Sequence, residues 1–200
     1  MKRTGIVVIL AFVVLGLAVA AFEWSGGPRQ AEAVVVVRGT GETYGPAGPL
    51  GDFTLVRPPR PMPDILFADA EGANVGLDAF RGRVILINLW ATWCAPCVRE
   101  MPALDRLQAK LGSDRFEVVA ISLDRGGLAK VSPFFDKYGL KNLAIYLDPK
   151  SGAYRMLSVQ RLPTSILVDA SGREIGRLEA PLEWDSADAV ALIQKYIDGG

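Results

Sequence analysis

Between Val84 and Trp90 the chain reads VILINLW, apolar at every position but Asn88. Such a run is the mark of a strand buried on both faces. Phe116–Ser122 (FEVVAIS) has the same character. Between them the period changes: Val98, Met101, Leu104, Leu107 and Leu111 recur at helical spacing over residues 95–111, and Gly112 supplies a stop. Upstream, DILFADAEGANV from Asp64 predicts a strand, a turn about Glu71-Gly72 and a second extended piece. A short helical turn at Leu77–Phe80 and a loop at Arg81-Gly82-Arg83 follow. Downstream the pattern predicts a helix over 127–138, with Pro133 near its beginning and Gly139 closing it. A strand over Ala144–Asp148 and a short helix over Ser151–Leu157 come next. Thr164–Asp169 and Arg173–Leu178 flank the turn Ala170-Ser171-Gly172 as a hairpin. Ser186–Ile197 is a closing helix, with Ser186 as its N-cap and Asp188 near its positive end. The order β-β-β-α-β-α-β-α-β-β-α predicts an α/β domain whose mixed central sheet carries helices on both faces.

The first 22 residues follow neither period. Lys2 and Arg3 precede an uncharged run from Thr4 to Phe22. As a helix, Ile6–Phe22 would span about 26 Å, slightly short of a bilayer core of about 30 Å. Two readings compete: an uncleaved transmembrane anchor with its amino end in the cytoplasm, or a signal peptide cleaved after Ala18-Val19-Ala20. The run is longer than an ordinary signal core and continues through Ala21 and Phe22, which favours the anchor. Either way the remainder is expected to be exported, as a single-pass protein of the inner membrane facing the periplasm or as a soluble periplasmic one. No cysteine lies near the end of the run for lipid attachment. Residues 23–63 read as a periplasmic tether, since 14 of those 41 residues are Gly or Pro. Pro58–Pro63 is expected to close it as extended polyproline II. Val34–Val37 is either a short strand or apolar filler. Residues 64–200 form the globular domain.

Composition removes several functions. The chain has 22 basic and 22 acidic residues, and from Asp64 onward the two signs are interspersed, 16 against 18. That balance leaves no footprint for nucleic acid and no polybasic membrane patch. There is no histidine. Imidazole triads, two-histidine zinc sites and haem ligation by histidine are therefore excluded.

Export changes the meaning of the two cysteines, Cys94 and Cys97, the only ones in the chain. A disulfide between residues three apart closes a tiny loop and removes little unfolded-chain entropy, so it is a poor staple. As a redox couple the pair is well placed. Cys94 falls where VILINLW ends and the helix begins, facing unpaired N–H groups and the positive end of the helix dipole, which favour thiolate. Cys97 lies one turn further in and is expected to be the less exposed. Cys94 then attacks a partner disulfide, or accepts attack, and Cys97 resolves the mixed disulfide. Pro96 suits the first helical turn. Trp93 reads as a wall beside the thiol, and Trp90 as either wall or core. No metal and no cofactor is implied beyond a redox-active Cys94–Cys97 disulfide. Zinc lacks further ligands, while two thiolates leave copper(I) open.

NLWATWCAPCVREMPALDRLQ, the preceding FRGRVILINLW and the later LPTSILVDASGREIGRL resemble the thioredoxin superfamily. More narrowly they resemble its TlpA/ResA-like group of membrane-anchored thiol–disulfide oxidoreductases, with Glu183-Trp184 bringing the chain nearest the TlpA members. The likeness runs from about Pro63 to Ile197. It implies a thioredoxin-like fold extended by an amino-terminal β-hairpin. It also implies a periplasm-facing reductant of disulfides in exported clients, such as copper-site proteins of respiratory oxidases or apocytochrome c in cytochrome c maturation. A membrane electron donor of the DsbD/CcdA type would recharge it. On this resemblance Cys94 matches the nucleophile and Cys97 the resolving thiol, while Pro163 matches a cis-proline. Trp93, Pro96, Leu162 and Pro163 would meet the client's backbone. Read without the family pattern, Pro163 is an ordinary trans residue opening a strand. Glu100 matches a glutamate able to take the proton of Cys97. Its other reading is a solvated helix residue paired with Arg99 or Arg106. Six residues before Cys94, where classical thioredoxins carry a buried aspartate, this chain has Asn88. Acid–base duty then moves to Glu100 or falls to water.

Three alternatives keep the same cysteines. A peroxiredoxin-like peroxidase places its threonine three residues before its cysteine, whereas Thr92 stands two before Cys94. A copper(I)-binding chaperone of similar build separates its cysteines by three residues and adds a histidine. An interaction module with an inert disulfide would function equally well without Cys94.

Overall fold

The apolar run at 84–90 forms the central strand, buried at all seven positions. The computed structural model describes residues 49–199. The expected leader at 1–22, the tether as far as residue 48, and Val34–Val37 lie outside the described residues. Among the described residues no helix is long and apolar enough to cross a membrane. Eight strands are present among them: β1 (Thr54–Pro61), β2 (Leu66–Ala68), β3 (Asn74–Gly76), β4 (Val84–Trp90), β5 (Phe116–Ser122), β6 (Tyr146–Leu147), β7 (Thr164–Val168) and β8 (Arg173–Leu178). The helices are α1 (Ala95–Leu111), α2 (Leu128–Tyr138), α3 (Gly152–Met156) and α4 (Ala187–Ile197), with a 3-10 turn at Leu77–Phe80.

All the strands join one mixed sheet in the order β1-β8-β7-β4-β5-β6-β2-β3. β4 runs parallel to β5 and antiparallel to β7, and β5 runs parallel to β6. The expected amino-terminal hairpin is β2–β3, at the edge beyond β6. Alternation along β4 divides the core in two. Val84, Leu86 and Trp90 face a cluster containing Leu104 and Leu107 of α1, Phe134 and Phe135 of α2, and Leu192 and Ile193 of α4. Ile85, Ile87 and Leu89 face Ala153 and Leu157 around α3. Helices thus cover both faces. The same alternation puts Asn88 on the side of α1, where its amide meets Glu100.

The carboxyl-terminal limit of the tether needs correction. Residues 54–57 of the expected tether and 58–61 of the expected polyproline segment form an edge strand, antiparallel to β8, with Thr54 opposite Arg177 and Arg60 opposite Glu174. Prolines are tolerated there because an edge strand need not donate from its outer side. The register shifts between Leu55 and Arg60, the stretch that holds Pro58 and Pro59, and the Arg57–Pro58 bond is cis. Leu50 and Phe53 are buried in the core, so the folded unit begins before the expected boundary at residue 64. Phe53 packs edge-on against Trp184, with ring centroids 6.3 Å apart.

The absence of a side chain at Gly176 is what permits this close packing of residues 53–54. A Cβ at that position would lie 2.6 Å from the Thr54 carbonyl oxygen and 2.7 Å from the Phe53 ring. Neither a paired strand nor a core ring can give way cheaply, so Gly176→Ala is expected to cost about 2 kcal/mol by overpacking. Urea unfolding followed by tryptophan fluorescence measures this. A variant as stable as the parent would contradict the β1–β8 pairing.

Candidate active site

The parallel pair β4–β5 ends in two loops that hold each other. The Leu123 amide donates to the Trp90 carbonyl at 2.9 Å. Asp124, immediately after β5, accepts from the Thr92 amide at 2.8 Å and from the Thr92 hydroxyl at 2.6 Å. The Ser122 hydroxyl donates to the same carboxylate at 2.9 Å. Residues 91–93, the approach to Cys94, are thereby fixed to the sheet. Asp124→Ala would strand a partly buried amide and two hydroxyls. It is expected to lower stability by about 2 kcal/mol, with Thr92→Val costing about half as much. Chemical denaturation of the two variants tests the ranking, and an unchanged Asp124→Ala would remove this loop clamp from the account.

Cys94 is the N-cap of α1, and its sulfur accepts a hydrogen bond from the Cys97 amide at 3.3 Å. Pro96 occupies the first turn, where a missing N–H costs nothing. The two cysteines are joined as a disulfide with their Cα atoms 5.3 Å apart. Cys94 keeps 6 % of its surface exposed and Cys97 none. An incoming sulfur can therefore reach only Cys94. Trp93 stands out into solvent at 70 % exposure, while Trp90 belongs to the core, its ring tilted 46° against Phe134 with centroids 4.9 Å apart. A groove of about 980 Å³ opens beside the disulfide, walled by Trp93, Pro96, Leu123, Tyr154 and Leu162. The Leu162–Pro163 bond is cis, and Pro163, next in the chain to Leu162 of the groove wall, is buried. Among the described residues no group of three or more His, Cys, Asp or Glu side chains could hold a metal ion.

Glu100 is the chemically unusual residue. It lies on α1 one turn beyond Cys97, and the spacing puts both on one helix face. It is not a solvated partner of Arg99 or Arg106. Only 3 % of it is exposed, and Arg106 instead pairs with Asp185 at 2.6 Å. One carboxylate oxygen accepts from the Leu182 amide at 3.0 Å and from the Trp184 indole N–H at 2.7 Å. The other accepts from the Asn88 amide at 3.2 Å. Burial pushes the carboxyl up from 4.5 to about 7, against the opposing pull of these donors. Asn88 also donates to the Ser165 hydroxyl at 2.9 Å, and its Oδ1 has no hydrogen-bond partner among the described residues. Asn88, at the position of the thioredoxin aspartate, thus orients a carboxylate delivered from α1.

The sequence matches the Redoxin family over residues 58–193. The chain belongs to that family. Among curated relatives it is 32 % identical to the thiol-disulfide oxidoreductase ResA of Bacillus thuringiensis over 120 residues, covering 60 % of this chain and 68 % of that one. It is 30 % identical to the ResA of Halalkalibacterium halodurans over 121 residues, with the same shares of the two chains. These relatives agree with the likeness to the TlpA/ResA-like group read from the motif. A solved thiol:disulfide interchange protein of Chlorobium tepidum superimposes with a TM-score of 0.58 at 23 % identity, covering 70 % of this chain and 97 % of that one. That likeness shows the thioredoxin-like fold. The chain is an enzyme of the thiol–disulfide oxidoreductase class.

Two features of this family site escape the sequence pattern. Asp124 was signalled only by its place just past a buried parallel strand, where α/β sheets gather functional groups. Of the partners of Glu100, Leu182 carried no local signal, and Trp184 was marked only by the family likeness of Glu183-Trp184, with nothing to place it against Glu100.

Proposed function

We propose that the chain reduces disulfides in exported proteins, working from the periplasmic side of the inner membrane through Cys94 and Cys97. The observation that carries this reading is the asymmetry of the pair: a reachable sulfur capping α1 and a buried one a turn behind it. In the dithiol form the Cys94 thiolate attacks one sulfur of the client disulfide, and the client's other sulfur leaves as thiolate. Cys97 then loses its proton and attacks the Cys94 sulfur. The mixed disulfide breaks, the client's first sulfur leaves with the electron pair, and Cys94–Cys97 is restored. Two electrons and two protons have passed to the client. Glu100 is the base for Cys97, and Trp93, Pro96, Leu162 and Pro163 seat the client's chain.

Glu100 also favours reduction as the net direction. A carboxylate on the helix face of Cys97 disfavours a second negative charge there and offsets the pull of the helix terminus toward thiolate. Less stabilised thiolates make the dithiol the better reductant. The oxidised enzyme must be recharged by a dithiol donor, for which a membrane protein of the DsbD/CcdA type suits an anchor at residues 1–22. Copper-site proteins of respiratory oxidases and apocytochrome c are the clients that suit such a reductant. A peroxidase role is less apt, because the Thr92 hydroxyl donates to Asp124 rather than toward the cysteine.

Mixing the dithiol form with one equivalent of an oxidised copper-site domain tests the reading. The expected result is one client disulfide opened per enzyme, with Cys94–Cys97 formed in step. A client that stays oxidised while the enzyme keeps both thiols would overturn it.

A further inference from the structure

We propose that the groove beside Cys94 selects clients whose disulfide is flanked by acidic residues, an inference that rests on the exchange reading above. Arg125, Lys130 and Arg155 line the groove together with Cys94, all three are exposed, and none pairs with a carboxylate among the described residues. The Arg155 guanidinium donates to the Lys150 carbonyl, at 2.8 Å. The single acidic lining residue, Asp124, is 96 % buried, and its oxygens are engaged by Thr92 and Ser122. Counted in full, three cations less one carboxylate leave two positive charges around the reactive sulfur.

This is not a spill-over of a basic surface. Over residues 49–199, which form the folded unit, acidic residues outnumber basic ones, 19 to 18, so the groove carries the opposite sign to its own domain. Among the other walls, Trp93, Leu162 and Tyr154 are apolar or aromatic. The fitting occupant is an extended segment that lays its cysteine and an apolar neighbour along those walls and turns Asp or Glu toward Arg125, Lys130 and Arg155. Attraction between exposed charges of this kind acts mainly on the encounter rate and is screened by salt.

Three peptides of equal length, each with one internal disulfide and with acidic, neutral or basic flanks, make the test. Each is mixed with the pre-reduced full chain, quenched in acid and read by mass spectrometry. Each rate is divided by that of the same peptide with dithiothreitol, which removes differences in intrinsic reactivity. At low ionic strength the acidic peptide is expected to react about tenfold faster than the basic one, with the neutral one between them. Salt at about 0.5 M should bring the ratio within about twofold. R125Q/K130Q/R155Q should flatten the ranking, and R125E/K130E should invert it. Equal normalised rates for three peptides that are all reduced would overturn the charge preference and leave the exchange reading standing. If none of the three is reduced, the exchange reading falls and this inference with it.

Discussion

Cys97→Ser is expected to accumulate a covalent complex with a disulfide-bearing client, and Cys94→Ser to form none. With Cys97 gone, Cys94 still caps α1 and still meets the groove, so the first attack proceeds. The mixed disulfide then has no internal thiolate to break it. With Cys94 gone, the remaining sulfur has no exposed surface and no route to the client. Turnover should fall by about a thousandfold or more in both variants, because each removes a reacting atom. Non-reducing gels and intact-mass measurement separate the two cases. A trapped complex in Cys94→Ser but not in Cys97→Ser would reverse the assigned roles.

Glu100→Gln should change two pH profiles. Folding raises this carboxyl from 4.5 to about 7. Between those values the folded chain holds a proton that the unfolded chain has released. Stability from this group is therefore full below about pH 4.5 and falls as pH rises to about 7, by about 3 kcal/mol in all. The glutamine variant should lose that slope. It stays accommodated because its carbonyl can accept from Leu182 and Trp184, while Asn88, turned about, offers its unpartnered Oδ1 to the new amide N–H. Glu174 acts in the opposite sense. Burial would raise it, but Arg177 and Arg60 outweigh burial and hold it below its ordinary value, so its contribution is lost as pH falls. The kinetic consequence concerns resolution by Cys97: its rate should climb through about pH 7 in the parent as Glu100 ionises, and Glu100→Gln should lack that inflection and run about tenfold slower at neutral pH. Urea unfolding across pH and single-turnover release of a trapped client read the two effects. Identical pH profiles in parent and variant would leave Glu100 a structural residue only.

What the sequence made legible was local. The helix expected over 95–111 is α1 to the residue, because its apolar spacing and its Gly112 stop are properties of that segment alone. The strands at 84–90, 116–122 and 173–178 are likewise as expected, and the one at 144–148 shortens to Tyr146–Leu147. Non-local pairing was not legible. Pro58-Pro59-Arg60-Pro61 reads as polyproline until β8 is placed beside it, and no property of residues 54–61 announces that Gly176 will admit them. At the site, Cys94 and Cys97 were plain from spacing and position. The chemical character of Glu100 depends on Leu182 and Trp184, more than 80 residues away, and from its own helix it passed equally well for a solvated partner of arginine. The cis bond at Pro163 was reachable only through resemblance.

Equilibrating the full chain in graded dithiol–disulfide buffers, then counting free thiols by alkylation, tests the central claim most directly. Both cysteines should convert together in one two-electron transition at a potential below about −200 mV, on the reducing side of the scale. Thiols that do not interconvert with the buffer, or a transition near the strongly oxidising value of about −120 mV, would contradict it.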